Sequence, residues 1–226
     1  KENPEFDLLP MTYAGRLDPM AEGLLILLSD DEIEKKQKYL DLEKTYEAEI
    51  LWGFETDTLD LLGLVVESRK LKVESSPKTV IGNSPRSDLG LDVPSESKVK
   101  EYLEKSKGKF EQMYPLYSSR PVGGKSLFQW AREGKANEIE IPKHEVEIFE
   151  CNFLERTNIS GEELLEEILR RVNLVLGDFR QEETVEKWKK LMSKTVFDTF
   201  VIDKISMKVS SGFYVRQFIS DFGRDS

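Results

Sequence analysis

The chain has 226 residues, of which 38% are hydrophobic and 34% charged, and its net charge at pH 7 is −10. This composition is typical of a folded protein and excludes a disordered chain, and the lack of an apolar run of about 18 residues excludes a membrane-spanning helix. A single cysteine excludes an internal disulfide framework and suits a reducing cytoplasm, and with a single histidine it argues against a zinc or other metal site.

The first half of the chain predicts short strands, one helix and a long loop. We predict a buried strand over 23–28, a helix over 30–40 and a strand over 44–54. Alternating apolar residues place every second side chain of 44–54, Tyr46 included, on one face of that strand. A partner strand is predicted over 63–68. Residues 70–95 are rich in Ser, Pro, Gly, Asn and Asp, which favours a loop.

The second half alternates helices with strands. Ser160 and Glu163 form a capping-box pattern before an amphipathic run, which predicts the start of a helix. We predict helices over 95–106, 126–133, 161–176, 181–193 and 214–222, and strands over 146–153 and 197–210. Strands and helices interspersed in this way favour the α+β class.

Charge is distributed unevenly along the chain. Nucleic-acid-binding proteins usually carry a basic surface, so the net charge of −10 favours an acidic protein–protein interaction domain. The segment 115–136 has the opposite balance: it contains one acid, Glu133, and the bases Arg120, Lys125, Arg132 and Lys135. A local basic stripe with interleaved aromatic residues can bind phosphates. The same pattern also fits an amphipathic helix with a solvated charged face.

In the segment 13–25, residues that widen or narrow the allowed backbone conformations stand on both sides of an aspartate, Asp18. Gly15 and Gly23 flank Asp18, and Pro19 fixes the backbone directly after it. A chain can hold a carboxylate in one place by this means. Asp-Pro is also a common start of a turn, and on composition alone the turn is the favoured interpretation.

Four segments resemble, in order, the motifs of the TruB-type tRNA pseudouridine synthases. They are Gly15-Arg-Leu-Asp-Pro-Met-Ala-Glu-Gly-Leu-Leu25; Lys44-Thr-Tyr46 with 53–63; Tyr114-Pro-Leu-Tyr117-Ser-Ser with 124–134; and Ser211-Gly-Phe-Tyr214-Val-Arg216 with 221–223. Any one of these segments alone is a weak signal. Their common order over most of the chain is a strong one.

The resemblance implies a pseudouridine synthase core: an α+β fold with a mixed, largely antiparallel sheet, flanking helices and a central active-site cleft. Asp18 matches the catalytic aspartate, which either attacks C1′ of a flipped-out uridine or takes a proton from C2′. Tyr46 matches the aromatic residue that stacks on the target base, and Arg216 the arginine that pairs with the carboxylate. Asp60 and Tyr214 match further pocket positions.

Local patterns allow other interpretations for the same residues. Tyr46 lies on the apolar face of its strand, as a core residue would, and an arginine near a helix start, such as Arg216, is usually solvated. Asp57 and Asp60 with Thr56 and Thr58 fit the capping of a turn between two strands, which is the favoured interpretation for the two threonines. Only the joint occurrence of the motifs favours a site.

Contacts with RNA are expected from four further residues. Lys44 belongs to the second motif, and Tyr13 stands where the family often has a histidine that contacts RNA, so its ring can stack instead. Arg120 and Lys125 are expected to contact phosphates.

The resemblance also implies the reaction and its partner. We expect an isomerase that converts uridine to pseudouridine without a cofactor, most simply at uridine-55 in the T loop of tRNA, and that binds the T arm as a monomer. Two alternatives are a guide-dependent synthase acting on other RNA and a catalytically idle RNA-binding module. Retention of Asp18, Tyr46 and Arg216 together argues against the idle module.

The domain organisation is expected to be simple. We predict one catalytic domain over 1–226 with a helical insertion at about 156–195, which includes Gly177-Asp-Phe-Arg-Gln181 and matches no family motif. Segments that the family usually has at both ends are absent, so we expect the chain to be truncated there.

Overall fold

The computed structural model describes residues 9–66, 93–193 and 198–225. Its strands are, in chain order, β1 (Met11–Ala14), β2 (Ile26–Ser29), β3 (Lys44–Leu51), β4 (Gly108–Met113), β5 (Pro121–Val122), β6 (Lys125–Ser126), β7 (Lys143–Ser160) and β8 (Thr199–Val209). Its helices are α1 (Lys36–Leu40), α2 (Glu96–Lys105), α3 (Leu127–Arg132), α4 (Gly161–Leu174), α5 (Gln181–Met192) and α6 (Val215–Asp225), with short 3-10 helices at Asp30–Lys35 and Ala136–Glu138.

A four-stranded antiparallel sheet in the order β3-β8-β7-β4 forms the centre of the fold. The predicted α+β class with a largely antiparallel sheet is therefore confirmed. The alternation predicted along β3 is confirmed too, because Tyr46, Ala48 and Ile50 are more buried than their neighbours. Two small hairpins, β1–β2 and β5–β6, stand apart from the central sheet.

Two hydrophobic clusters lie on this frame. The first packs α2 and α6 against the sheet, with Val99, Ile205 and Phe222 among its most buried members. The second packs α4 and α5 against the end of β8, with Trp188 and Phe200 at its centre. Amphipathic helices require such apolar partners, since in proteins their stability comes mainly from tertiary packing.

The helix pair α4–α5 follows β7 and precedes β8, which pair with each other up to Ser160 opposite Thr199. The pair is therefore an excursion at the end of a long hairpin. Residues 156–160, which the sequence assigned to the insertion, belong to β7. The Ser160–Glu163 capping box is present at the start of α4. Within the described ranges, no helix is long and apolar enough to cross a membrane.

Several predicted boundaries are wrong. The strand predicted over 23–28 begins only at Ile26, and Leu24 is 87% exposed, so it is not a buried strand. The predicted helix 30–40 begins as a 3-10 helix and becomes α-helical only at Lys36. In place of a strand over 63–66, a single bridge joins Thr56 to Val65. Residues 67–92, which include the end of that strand and most of the predicted loop, lie outside the described residues.

Candidate active site

Asp18 lies in the loop that joins β1 to β2. The chain turns directly after it, because the Ala21 amide donates to the Asp18 carbonyl at 2.9 Å and Pro19 restricts φ between them. Gly15 has a φ of +90°, which favours glycine. The Asp18 side chain is 49% exposed, so its carboxylate is accessible to solvent.

Arg216 lies in the first turn of α6, and its side chain is only 11% exposed. Its guanidinium makes three hydrogen bonds. Nε donates to Asp18 Oδ2 at 2.8 Å, Nη1 to the Thr58 carbonyl at 2.8 Å and Nη2 to the Tyr117 carbonyl at 2.9 Å. Two backbone carbonyls thus hold the planar guanidinium so that its Nε–H points at the Asp18 carboxylate. A solvated surface arginine would not be held in this way.

The turn 56–64 supplies one of those two carbonyls and is fixed by its own side chains. Thr56 Oγ1 donates to the Asp60 carbonyl at 2.6 Å, and Thr58 Oγ1 donates to Asp60 Oδ1 at 2.6 Å. The turn-capping prediction for both threonines is therefore confirmed. A Cβ at Gly63 would collide with the Thr58 hydroxyl, so the turn requires glycine at that position.

Asp60 lies inside this turn, beneath Arg216. Its Oδ1 also accepts the Leu62 amide at 3.0 Å. Burial raises the pKa of Asp60, while the bond from Thr58 and the positive charge of Arg216 oppose that effect. Leu59, next to it, has a φ of +65°, an uncommon conformation for a residue other than glycine.

Two tyrosines border the Asp18–Arg216 pair. Burial raises the pKa of Tyr46, and the negative charge of Asp18 raises it further. Tyr214 has its ring 5.8 Å from the Arg216 guanidinium carbon, and burial raises the pKa of its hydroxyl. The half-buried ring of Tyr46 packs against the first hydrophobic cluster, and its hydroxyl lies within electrostatic reach of Asp18.

Two other predicted contact residues lie away from this pair. The Lys44 ammonium donates to the carbonyls of Leu40 and Leu42 at 2.9 and 2.7 Å, and burial lowers its pKa. Tyr13 lies on β1, where its hydroxyl accepts a bond from Arg16 at 3.1 Å. The Lys36 ammonium lies 5.5 Å from the centre of the Tyr13 ring, so this ring belongs to a small basic surface.

The basic stripe 115–136 is partly neutralised within the protein. The Lys125 ammonium lies 2.7 Å from the Glu133 carboxylate and 4.9 Å from the centre of the Trp130 ring. Arg120 is exposed, and its guanidinium carbon lies 4.9 Å from the centre of the Tyr114 ring. Of the two predicted phosphate contacts, Arg120 therefore offers its charge to solvent more directly than Lys125.

Sequence reasoning missed a second charged pair beside the site. Arg180, in the loop between α4 and α5, donates from Nη1 to Asp57 Oδ2 at 2.9 Å. The Tyr117 hydroxyl donates to the same oxygen at 3.0 Å. The one available signal was Gly177-Asp-Phe-Arg-Gln181, an interhelical loop with an arginine beside an aromatic residue, but nothing local indicates where it folds back.

This arrangement can act on a bound molecule through a single carboxylate. Among the described residues, Arg216 alone donates hydrogen bonds to the Asp18 side chain, so the carboxylate keeps acceptor capacity on its exposed side. An ionised, oriented carboxylate can serve as a nucleophile or as a base. No cluster of three or more His, Cys, Asp or Glu residues that could hold a metal is found in 9–66, 93–193 and 198–225.

Comparisons with known proteins give one consistent family. The model of the TruB family pseudouridylate synthases (N-terminal domain) matches residues 9–166. A tRNA pseudouridine synthase B from Caldanaerobacter subterraneus is 33% identical over 142 residues, which is 63% of this chain and 42% of the relative. Proteins of the same name from Aquifex aeolicus and Bacillus pumilus are 31% and 33% identical, with 62% and 60% of this chain matched. The chain spans about two fifths of the length of these relatives.

Proposed function

The chain belongs to the TruB family of pseudouridylate synthases, and on that premise we propose that it converts uridine to pseudouridine in tRNA, with Asp18 as the catalytic carboxylate. The observation that carries the assignment of Asp18 is the Arg216 clamp: two backbone carbonyls hold the guanidinium, and its third contact is the half-exposed Asp18 carboxylate. A catalytically idle RNA-binding module has no need of such an oriented carboxylate.

The reaction requires a carboxylate and a place for an extruded base. Asp18 either adds to C1′ of the ribose or removes a proton from C2′. The bond from C1′ to N1 of uracil then breaks and the base turns over. As the bond from C1′ to C5 forms, either the bond from Asp18 to C1′ breaks or the proton returns to C2′. C5 loses its proton and N1 gains one. The product is an isomer of the substrate, so the reaction needs no oxidant, reductant or donated group.

Tyr46 is proposed to replace the stacking that the flipped base loses. Base–aromatic stacking contributes about 1–3 kcal/mol per base, and any base presents a suitable face. The negative charge of Asp18 raises the pKa of Tyr46, which supports a place for this ring near the reacting base. We propose that Tyr214 and Asp60 line the same pocket.

For the substrate, we propose the T-loop uridine of tRNA, with the T arm bound across the exposed cation of Arg120. The curated relatives carry the name tRNA pseudouridine synthase, which supports tRNA as the RNA class. A basic surface of limited extent on an acidic protein suits a short RNA stem better than a long duplex. We propose that the protein acts as a monomer in the cytoplasm, where the buried free Cys151 stays reduced.

The test is incubation of the full-length protein with an unmodified tRNA transcript, followed by mapping of pseudouridine at single-nucleotide resolution. We expect pseudouridine at the T-loop uridine and none in a transcript with cytidine there. Asp18→Asn should reduce product formation by about a thousandfold or more while RNA affinity stays near that of the parent. Asp31→Asn, a change at an exposed acid away from the site, is the control.

Two results would count against the proposal. Full activity of Asp18→Asn would remove the catalytic assignment. Modification confined to other positions of the tRNA, or to other RNA, would favour a different substrate for the same chemistry.

A further inference from the structure

The helix pair α4–α5 packs on the turn 56–64 of the proposed active site, and the loop that carries Asp18 packs against the same hydrophobic cluster. Leu62, from the turn 56–64, is a buried member of the cluster that α4 and α5 build around Trp188. Met20, two residues after Asp18, and Leu61 pack against the same cluster. The insertion therefore contacts the turn that carries Asp60 and shares a hydrophobic cluster with the loop that carries Asp18.

Polar contacts join α5 to the same turn. Thr184 Oγ1, fully buried, donates to the Leu62 carbonyl at 2.9 Å, and Trp188 Nε1 donates to the Leu61 carbonyl at 3.3 Å. Two consecutive carbonyls of the turn thus depend on donors from the insertion. Buried carbonyls without donors are costly, so these bonds restrict where the turn can lie.

Arg180 extends this contact to the edge of the site. Its Nη1 shares Asp57 Oδ2 with the Tyr117 hydroxyl, and its guanidinium carbon lies 5.1 Å from the centre of the Tyr117 ring. The φ of Arg180 is +62°, a conformation uncommon for a residue with a Cβ. The loop therefore accepts backbone strain at the residue that makes this contact.

Arg180 reaches Arg216 through two short paths. The Tyr117 hydroxyl donates to Asp57, and the Tyr117 ring lies against Arg180. The carbonyl of the same residue accepts a hydrogen bond from Arg216 Nη2. Thr58, the residue after Asp57, offers its carbonyl to Arg216 Nη1. Both carbonyls that orient Arg216 toward Asp18 thus belong to segments that Arg180 and Asp57 join.

We propose that Arg180 is a positioning residue for the reaction: by joining Asp57 to Tyr117 it fixes the two carbonyls that orient Arg216 against Asp18. This inference rests on the proposed function. A competing role is direct contact between Arg180 and RNA phosphate. The ion pair with Asp57, in which both side chains are 26% exposed, favours positioning because the charge is already balanced within the protein.

The kinetic test compares Arg180→Ala and Arg180→Lys with the parent in the full-length protein, on unmodified tRNA transcript. A misplaced Arg216 should lower kcat about tenfold to a hundredfold for Arg180→Ala with KM changed less than about twofold. Arg180→Lys should recover part of kcat, since its ammonium can still bond Asp57 although it cannot lie flat on Tyr117. The control is Arg170→Ala, which removes an exposed arginine that pairs with Glu167 on the same insertion.

Hydrogen exchange gives a readout that does not depend on activity. In Arg180→Ala, the amides of 57–64 should exchange faster, above all that of Leu64, which donates to Asp57 Oδ1 at 2.8 Å. Exchange in α4 and α5 should stay as in the parent. If the parent forms no pseudouridine, the proposed function fails, while the exchange comparison still decides whether Arg180 holds the turn.

Three results would overturn the positioning role. A raised KM with unchanged kcat would identify Arg180 as an RNA contact. Faster exchange throughout α4 and α5 would make Arg180 a general support of the fold. Unchanged exchange at 57–64 together with unchanged kcat would remove any role for it.

Discussion

Two aspartate–arginine pairs in this protein have arginines of equal burial and carboxylates of opposite exposure. Arg216 and Arg156 are each 11% exposed, whereas Asp18 is 49% exposed and Asp203 is 0% exposed. Arg156 binds Asp203 through Nε and Nη2 at 2.6 and 2.7 Å. The indole nitrogen of Trp52 adds a third bond to Asp203 at 2.7 Å.

The difference lies in the carboxylate, because each arginine makes three hydrogen bonds. Asp203 has both oxygens occupied and faces the core of the sheet, so the pair stabilises one arrangement of β3, β7 and β8. In the other pair each guanidinium nitrogen of Arg216 donates one bond, and the Asp18 carboxylate keeps an open side. A buried pair with satisfied partners is structural, whereas an arginine held by carbonyls against an open carboxylate is prepared for chemistry.

The largest expected effect on stability comes from the closed pair. Asp203→Asn removes the negative charge and leaves Arg156 buried without a counter-ion, which should cost about 3–5 kcal/mol of unfolding free energy. Chemical denaturation monitored by circular dichroism measures it. Glu55→Gln, which breaks the exposed pair with Arg224, is the isosteric control and should leave stability nearly unchanged. A loss as small as that of the control would show that the Asp203 pair does not stabilise the core.

A change at the open pair should affect turnover more than stability. In Arg216→Lys the ammonium cannot reach all three acceptors with the geometry of a guanidinium, so we expect turnover to fall about a hundredfold. Single-turnover kinetics with saturating protein measures the chemical step. Arg156→Lys is the matched variant: it should lower the melting temperature and leave turnover near that of the parent. The distinction between the two pairs fails if the variants show the opposite pattern.

The strand β3 serves both pairs: Tyr46 lies within electrostatic reach of Asp18, and Trp52, one residue past the end of the strand, donates a hydrogen bond to Asp203. Tyr46→Ala should lower turnover about tenfold to a hundredfold through lost stacking, whereas Tyr46→Phe keeps the ring and should bind RNA nearly as well as the parent. Turnover and RNA affinity are measured side by side. Equal losses for the two variants would assign the effect to the hydroxyl instead of the ring.

Much of this frame could be predicted from the sequence. Alternation along 44–54 gave the buried face of β3, and the capping box gave the start of α4. The motif resemblance predicted that Arg216 contacts Asp18, and the structure places them 2.8 Å apart; their part in catalysis stays a prediction. The family motifs predict this contact because they contain both residues, which are 198 positions apart. A local sequence pattern cannot indicate a contact over that separation.

The remainder depends on long-range packing. The helices at 161–193 were predicted from their amphipathic pattern, but an apolar stripe does not specify which surface it covers. Contact of Arg180 with Asp57, 123 positions away, was therefore not predicted. Lys125 was expected to contact RNA, and its pairing with Glu133 was missed because it depends on how β6 meets α3. The Leu24 region was wrong because hydrophobicity alone does not ensure burial.

A third carboxylate, Asp60, extends the comparison of the two aspartate–arginine pairs. Its replacement should have the smallest effect of the changes proposed. Burial raises its pKa, so the folded state favours the protonated form. The resulting stabilisation is complete below the unfolded pKa of about 3.9 and is lost as the pH rises through the folded value. Asp60→Asn can still accept the bonds from Thr58 and Leu62 but has no charge.

The melting temperature of Asp60→Asn minus that of the parent should therefore increase as the pH is raised from 4 toward neutrality, by less than the change that Asp203→Asn causes. Calorimetry between pH 4 and 8 measures the difference, with Asp31→Asn as the exposed control. The opposite slope would mean that Arg216 stabilises the Asp60 carboxylate more than burial opposes it. In that case Arg216 would hold two charged aspartates, and the open pair would be a triad instead.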